Sequence, residues 1–141
     1  MRLHHIGYAV PKIAYALDRF LAEGCLIVSP CIVDPILDVR VQFITLADTD
    51  TLVELVEPIS ERSPVHTFLR RRNGFYHLCF EVSDLQAQLD LERARHGVIV
   101  VNPTRAEAFH GDEGKVAFVV RRSGMLTEFL ETTKARNYNQ L

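Results

Sequence analysis

Cysteine is scarce in this chain. The three present, Cys25, Cys31 and Cys79, form no even framework and no C-x-x-C spacing. That pattern excludes a disulfide scaffold and points to a reduced, cytoplasmic setting. Long apolar runs are missing as well. None approaches the roughly 20 residues needed to cross a bilayer, so no membrane role is expected. The amino terminus lacks the basic region and long apolar stretch of a secretory signal. Nor does one sign of charge dominate: 16 Lys and Arg against 18 Asp and Glu give a formal net charge of −2. A near-neutral chain argues against nucleic acid as a partner. What is present is a globular balance, with 48% hydrophobic and 24% charged residues. At 141 residues the chain fits one domain, or two half-sized modules sharing one core.

The second arrangement is written into the sequence as a repeat. HIGYAVPKI (5–13) matches HLCFEVSDL (77–85): His, aliphatic, small, aromatic, any residue, Val, two turn-tolerant residues, aliphatic. Each run leads into a helix candidate, 12–23 and 84–96, that ends at Gly24 or Gly97, a common residue just past a helix. In the first, Ile13, Leu17, Phe20 and Leu21 make an amphipathic stripe. In the second, Leu85, Ala87, Leu89, Leu91 and Ala94 spread more widely, and the helix leans on the repeat. Both copies then run through β-rich residues to a proline, GCLIVSP and GVIVVNP. Two further strands follow in each: DVRVQFITL and TLVELVEP, then KVAFVV and MLTEFLET.

The expected fold is therefore α+β: two βαβββ modules, 1–60 and 75–133, forming a curved mixed sheet around a cleft with helices on the outer face. Residues 61–74 join them. There Ser63 reads as an N-cap, Pro64 as the first helical residue and Gly74 as lying past the helix end. Arg70, Arg71 and Arg72 complement the carbonyl end of that helix. Residues 134–141 read as a loose polar tail.

Period two assigns the faces. Ile6, Tyr8 and Val10 share the helix-facing side of the first strand, and His5, Gly7 and Ala9 the other. Leu78, Phe80 and Val82 stand likewise opposite His77, Cys79 and Glu81. His4 falls on the apolar-facing side at the chain start and reads as a rim or surface residue. The repeat thus selects His5 and His77, and on the last strand of each module Glu54 and Glu128. Singly, a strand histidine is ordinarily half-buried with a backbone partner, and a strand-end glutamate is ordinarily solvated. As four equivalent positions in a duplicated unit, they suit a divalent metal: Zn, Ni, Co, Mn or Fe(II). Glu57 and Glu131, three residues beyond each glutamate, read as rim charges. Asp38 reads as a turn residue.

HHIGYAV and YHLCFEVSDL, with LVELVEPISERSPVHTFL between them, resemble the vicinal-oxygen-chelate superfamily over residues 3–131. Within it they are most similar to methylmalonyl-CoA epimerases and their glyoxalase-like relatives. The resemblance places the metal ligands at His5, Glu54, His77 and Glu128, in agreement with the repeat. It implies a metal-dependent isomerase or lyase acting on a small carbonyl compound or acyl-CoA through an enolate, with Glu54 and Glu128 moving the proton. It also implies a homodimer. The likeness departs at RAEAFHGDEGK (105–115), bulkier than the glycine-rich loop of epimerases, and at the short hairpin RRSG (121–124). Two other classes share the architecture: metal-free binding proteins of the bleomycin-resistance type, and Fe(II) dioxygenases using two His and one Glu. His66 and His96 read as structural or solvated. His110 reads as a substrate contact from a loop flanking the cleft, Cys79 as a small buried residue beside His77, and either Arg70, Arg71 and Arg72 or Arg121 and Arg122 as contacts for CoA phosphates, or else as solvated edges.

Overall fold

A computed structural model describes residues 1–72, 74–109 and 114–132. His110 and the tail 134–141 lie outside the described residues. The chain divides into two compact units, His5–Tyr76 and Met1–His4 together with the segment from His77 onward. Both are α+β, and among the described residues nine strands pair in mixed parallel and antiparallel fashion. No described helix is long and apolar enough to cross a membrane.

In the first unit, β1 (Arg2–Ala9, of which the part from His5 on belongs to this unit) leads into α1 (Ile13–Ala22), then β2 (Leu26–Ile27), β3 (Ile32–Asp34), β4 (Val39–Thr45) and β5 (Leu52–Pro58). β1 and β5 run parallel, with Gly7 opposite Glu54. β4 is antiparallel to β5, with Phe43 opposite Glu54. β2 and β3 both lie antiparallel to β4. The sequence repeat leads one to expect a single strand here. Pro30 has no N–H to donate to a ladder and splits it in two. Ser29 bridges the gap, its Oγ accepting from Phe43 N at 2.8 Å.

The helix-facing side is apolar. Val10, Ile13, Cys25, Ile44, Val53 and Leu55 are buried together, with Ile6, Tyr8, Leu17 and Phe20 packed around them. Period two on the strands and the 3.6-residue period on α1 put these side chains on facing surfaces. Leu21, placed on the apolar stripe by its spacing, is 43% exposed. The stripe is narrower than the sequence suggests.

α2 (Pro64–Leu69) begins as expected, with Ser63 Oγ accepting from Val65 N at 3.3 Å. β6 (Gly74–Val82) starts on a residue with φ +92, where a Cβ would meet Tyr8 Oη at 3.3 Å. Only glycine meets both conditions without strain. Asp38 adopts a left-handed φ of 58 and accepts from the Ser60 hydroxyl, which confirms it as a turn residue.

The second unit repeats the plan. β6 precedes α3 (Leu85–Ala94), β7 (Val98–Arg105), a short 3-10 turn (Glu107–Phe109), β8 (Gly114–Val120) and β9 (Leu126–Thr132). β6 and β9 are parallel, with Cys79 opposite Glu128. β8 pairs antiparallel with both β9 and β7. Here the second strand is continuous and absorbs Pro103 through register shifts. Leu85 and Leu89 of α3 pack on Ala117, Val119 and Phe129, while Leu91 is 50% exposed. That explains the wide spread of apolar residues read from the helix.

Candidate functional site

His5 and His77 each sit on the sheet face away from the helix of their unit. The register is the same in both. The residue two beyond the histidine, Gly7 or Cys79, stands opposite the glutamate of the parallel last strand. The diagonal thus brings imidazole and carboxylate together. His5 Nε2 lies 3.2 Å from Glu54 Oε2, and His77 Nε2 lies 3.0 Å from Glu128 Oε2. All four residues are buried, the histidines at 0% and 1% exposure and the glutamates at 6% and 2%. Each sequence-selected histidine is therefore found against the glutamate chosen with it.

The alternating pattern also explains a pair that sequence reasoning missed. The Phe43 ring meets His5 edge-on, with centroids 5.4 Å apart and planes at 79°. Phe118 meets His77 in the same way, at 5.4 Å and 89°. Both phenylalanines face the glutamate across the antiparallel pair, Phe43 opposite Glu54 and Phe118 opposite Glu128. The signal was present as V-x-F at 41–43 and 116–118. Each unit therefore carries a three-residue set of imidazole, carboxylate and aromatic ring. The ring fills the space beside the imidazole and restricts its rotation.

Two readings are corrected. His4 is buried, 4% exposed, with its ring edge-on to Phe109 at 5.4 Å. An imidazole presents apolar ring edges, so the apolar-facing side of β1 accommodates it. Glu57 and Glu131 are not rim charges. Glu57 Oε2 accepts from Ile13 N at 2.9 Å, and Glu131 Oε2 from Leu85 N at 2.7 Å. Each carboxylate satisfies an orphan N–H at the first residue of the helix and faces the positive end of its dipole. Lys12, the N-cap of α1, supplies no side-chain cap. Glu57 takes that role. Cys79 is fully buried and His66 half-buried. His96 is exposed, at φ 66 just past α3.

A buried His–Glu pair can be a structural contact. It is a costly one, because an apolar pair in the same place avoids desolvating a carboxylate. The donor chemistry also fits a metal. Nitrogen and oxygen ligands at right angles, each about 2.1 Å from one ion, stand about 3 Å apart. Both pairs have that separation and offer ligating atoms of the right type.

Comparison with known proteins gives the lineage. The family model described as the glyoxalase/bleomycin resistance protein/dioxygenase superfamily matches residues 4–118. The chain is 35% identical over 91 residues to the ethylmalonyl-CoA/methylmalonyl-CoA epimerase of Cereibacter sphaeroides, covering 63% of this chain and 66% of that one. It thus spans just under two thirds of that relative's length. It is 26% identical over 132 residues to the mitochondrial methylmalonyl-CoA epimerase of Dictyostelium discoideum, covering 92% and 78%. Among solved structures, a variant of the Streptomyces coelicolor methylmalonyl-CoA epimerase in complex with 2-nitronate-propionyl-CoA has the same fold. Its TM-score is 0.78 at 23% identity, with 95% of this chain and 99% of that one covered. Family model and duplicated fold agree, and the chain belongs to the glyoxalase/bleomycin resistance protein/dioxygenase superfamily.

Proposed function

We propose that this protein is a metal-dependent epimerase of a short acyl-CoA of the methylmalonyl-CoA kind, with His5, Glu54, His77 and Glu128 holding one divalent cation. The observation that carries the reading is the duplicated buried pair, one imidazole against one carboxylate in each unit. The epimerase names of the relatives supply the substrate class. When bound, the cation supplies Lewis-acid polarisation of the substrate's carbonyl oxygens, which makes the neighbouring C–H more acidic. The residues of the chain do the rest. Inversion at carbon needs a proton removed from one face and returned to the other. Glu54 and Glu128, one from each unit, are the two carboxylates for that exchange. His5 and His77 ligate through Nε2, and the Phe43 and Phe118 rings hold them in that rotamer.

Incubation of metal-replete protein with methylmalonyl-CoA in deuterium oxide tests the reading. Deuterium is expected at the carbon between thioester and carboxylate, and none in hemithioacetals offered in parallel. Absence of exchange into methylmalonyl-CoA overturns the substrate assignment. Exchange into hemithioacetals alone moves the protein to the glyoxalase reaction.

The ring contact is tested separately. Phe118→Leu is expected to weaken divalent-metal binding about tenfold, the lower range for a group that supports a ligand. The swap keeps the site apolar, so its unfolding cost stays near 1 kcal/mol. Competition with a chromophoric chelator reads the first, and urea titration the second. Unchanged metal affinity with lost stability reduces Phe118 to packing.

A further inference from the structure

The two units diverge at one corner, where the second carries charged residues with a net gain of positive charge. In the first unit, Cys25 N donates to Phe20 O, Glu23 N to Arg19 O and Phe20 O, and Leu46 N to Thr51 O. In the second, Gly97 N donates to Glu92 O, Arg95 N to Leu91 O and Glu92 O, and Arg121 N to Met125 O. The matching backbone pattern makes Phe20 equivalent to Glu92, Glu23 to Arg95, and Leu46 to Arg121. The residues after Leu46 and Arg121 are Ala47 and Arg122. Where the first unit packs Phe20 and Leu46 on its apolar core, the second has an ion pair between a half-buried arginine and a buried glutamate. Arg121 Nη2 lies 3.0 Å from Glu92 Oε1, and Gln88 Nε2 donates to the same oxygen at 3.0 Å.

The fold does not need that ion pair, because its own first half closes the corner with apolar side chains. Burying the Glu92 carboxylate there instead carries a desolvation cost that an apolar side chain avoids. What the exchange leaves is a cavity of about 320 Å³ lined by Glu92, Arg95, Gly97, Arg121, Arg122 and Ser123. Three arginines and one glutamate line it, and Arg121 is the arginine paired with Glu92. Arg121 is held in place, its guanidinium carbon 5.9 Å and 5.5 Å from the Phe80 and Phe129 ring centroids. One edge is committed to Glu92. A guanidinium has five N–H donors in all, so others remain.

We propose that this cavity is an anion site that takes a phosphate group. Several arginines lining one small cavity match phosphate in charge, and a guanidinium is the side chain suited to bind it in a two-pronged way. The site lies on the helix-facing side of the second unit's sheet. Arg121 sits over Phe80 and Phe129, which alternate with the residues on the His77 and Glu128 face. It is thus separate from the His–Glu pair of its own unit and does not depend on the reaction proposed above. The phosphate can be a free anion or one borne by a nucleotide.

Full-length protein titrated with inorganic phosphate, and separately with adenosine 3′,5′-bisphosphate, distinguishes these sources. Chloride holds the ionic strength constant, and calorimetry with arginine side-chain NMR shifts provides the readout. Binding of inorganic phosphate marks a free-anion site, and binding of the bisphosphate alone marks a nucleotide-borne phosphate. In either case R95S/R122S, altered only at exposed side chains, is expected to bind at least tenfold more weakly with an unchanged thermal midpoint. No binding of either probe to the parent protein overturns the proposal. So does equal binding by R95S/R122S.

Discussion

Glu128→Gln and His77→Ala are each expected to strip the protein of divalent metal and, with it, of deuterium exchange into methylmalonyl-CoA. Each removes one ligand of the second unit's pair, and affinity should fall by more than about a hundredfold, beyond the range for groups that merely support a ligand. For Glu128→Gln the loss is not a folding defect. Glu128→Gln keeps the side chain's shape and takes a buried charge out of the sheet, so the apo protein should be at least as stable as the parent. Elemental analysis of protein purified without added metal, followed by metal titration, reads the first effect, and urea unfolding with chelator reads the second. If both variants retain the parent's metal content, the four-ligand reading is wrong. His5→Ala and Glu54→Gln should behave in the same way, because the two pairs are built alike.

Three residues further along β5, a carboxylate of the opposite face should give the opposite result. Glu57→Ala is expected to cost about 2 kcal/mol of stability and leave metal binding by the folded protein unchanged. It removes the acceptor of the Ile13 N–H, and leaving a buried donor unsatisfied costs about 1–3 kcal/mol. Lys12 Nζ at 3.5 Å and Arg40 Nη1 at 3.4 Å also lose their partner. Their side chains are 61% and 40% exposed, so those pairs add little in water. Glu131→Ala should cost less, about 1 kcal/mol, because Asp84 already caps α3 by accepting from Ala87 N at 2.9 Å. Urea titration of the two variants checks the order. A Glu57→Ala protein within half a kcal/mol of the parent would show that water replaces the carboxylate.

The repeat made much of this legible. HIGYAV and HLCFEV reveal both first strands and the face of each histidine, because period two assigns faces without reference to anything distant. The glutamates followed from their matched place in the repeat. Glu57 and Glu131 were misread because a strand-end carboxylate looks solvated until the helix start that it meets is known. That helix start lies more than forty residues away. His4 was misread because alternation gives a face and says nothing of what packs there, in this case Phe109. Phe43 and Phe118 could have been found by extending the repeat comparison to the middle strands. The split of the first unit's second strand rests on one proline and one serine side chain, below what residue periodicity resolves.

The caps also fix an order of events during synthesis. Ile13 and Leu85 wait 44 and 46 residues, respectively, for the carboxylates that complete their helices. A nascent chain that has emerged from the ribosome only through α1 holds a ten-residue segment, too short to persist alone in water. Each half satisfies the first N–H of its helix with this carboxylate only when its final strand arrives. Ribosome-stalled chains ending before residue 57 should therefore remain protease-sensitive across 13–22.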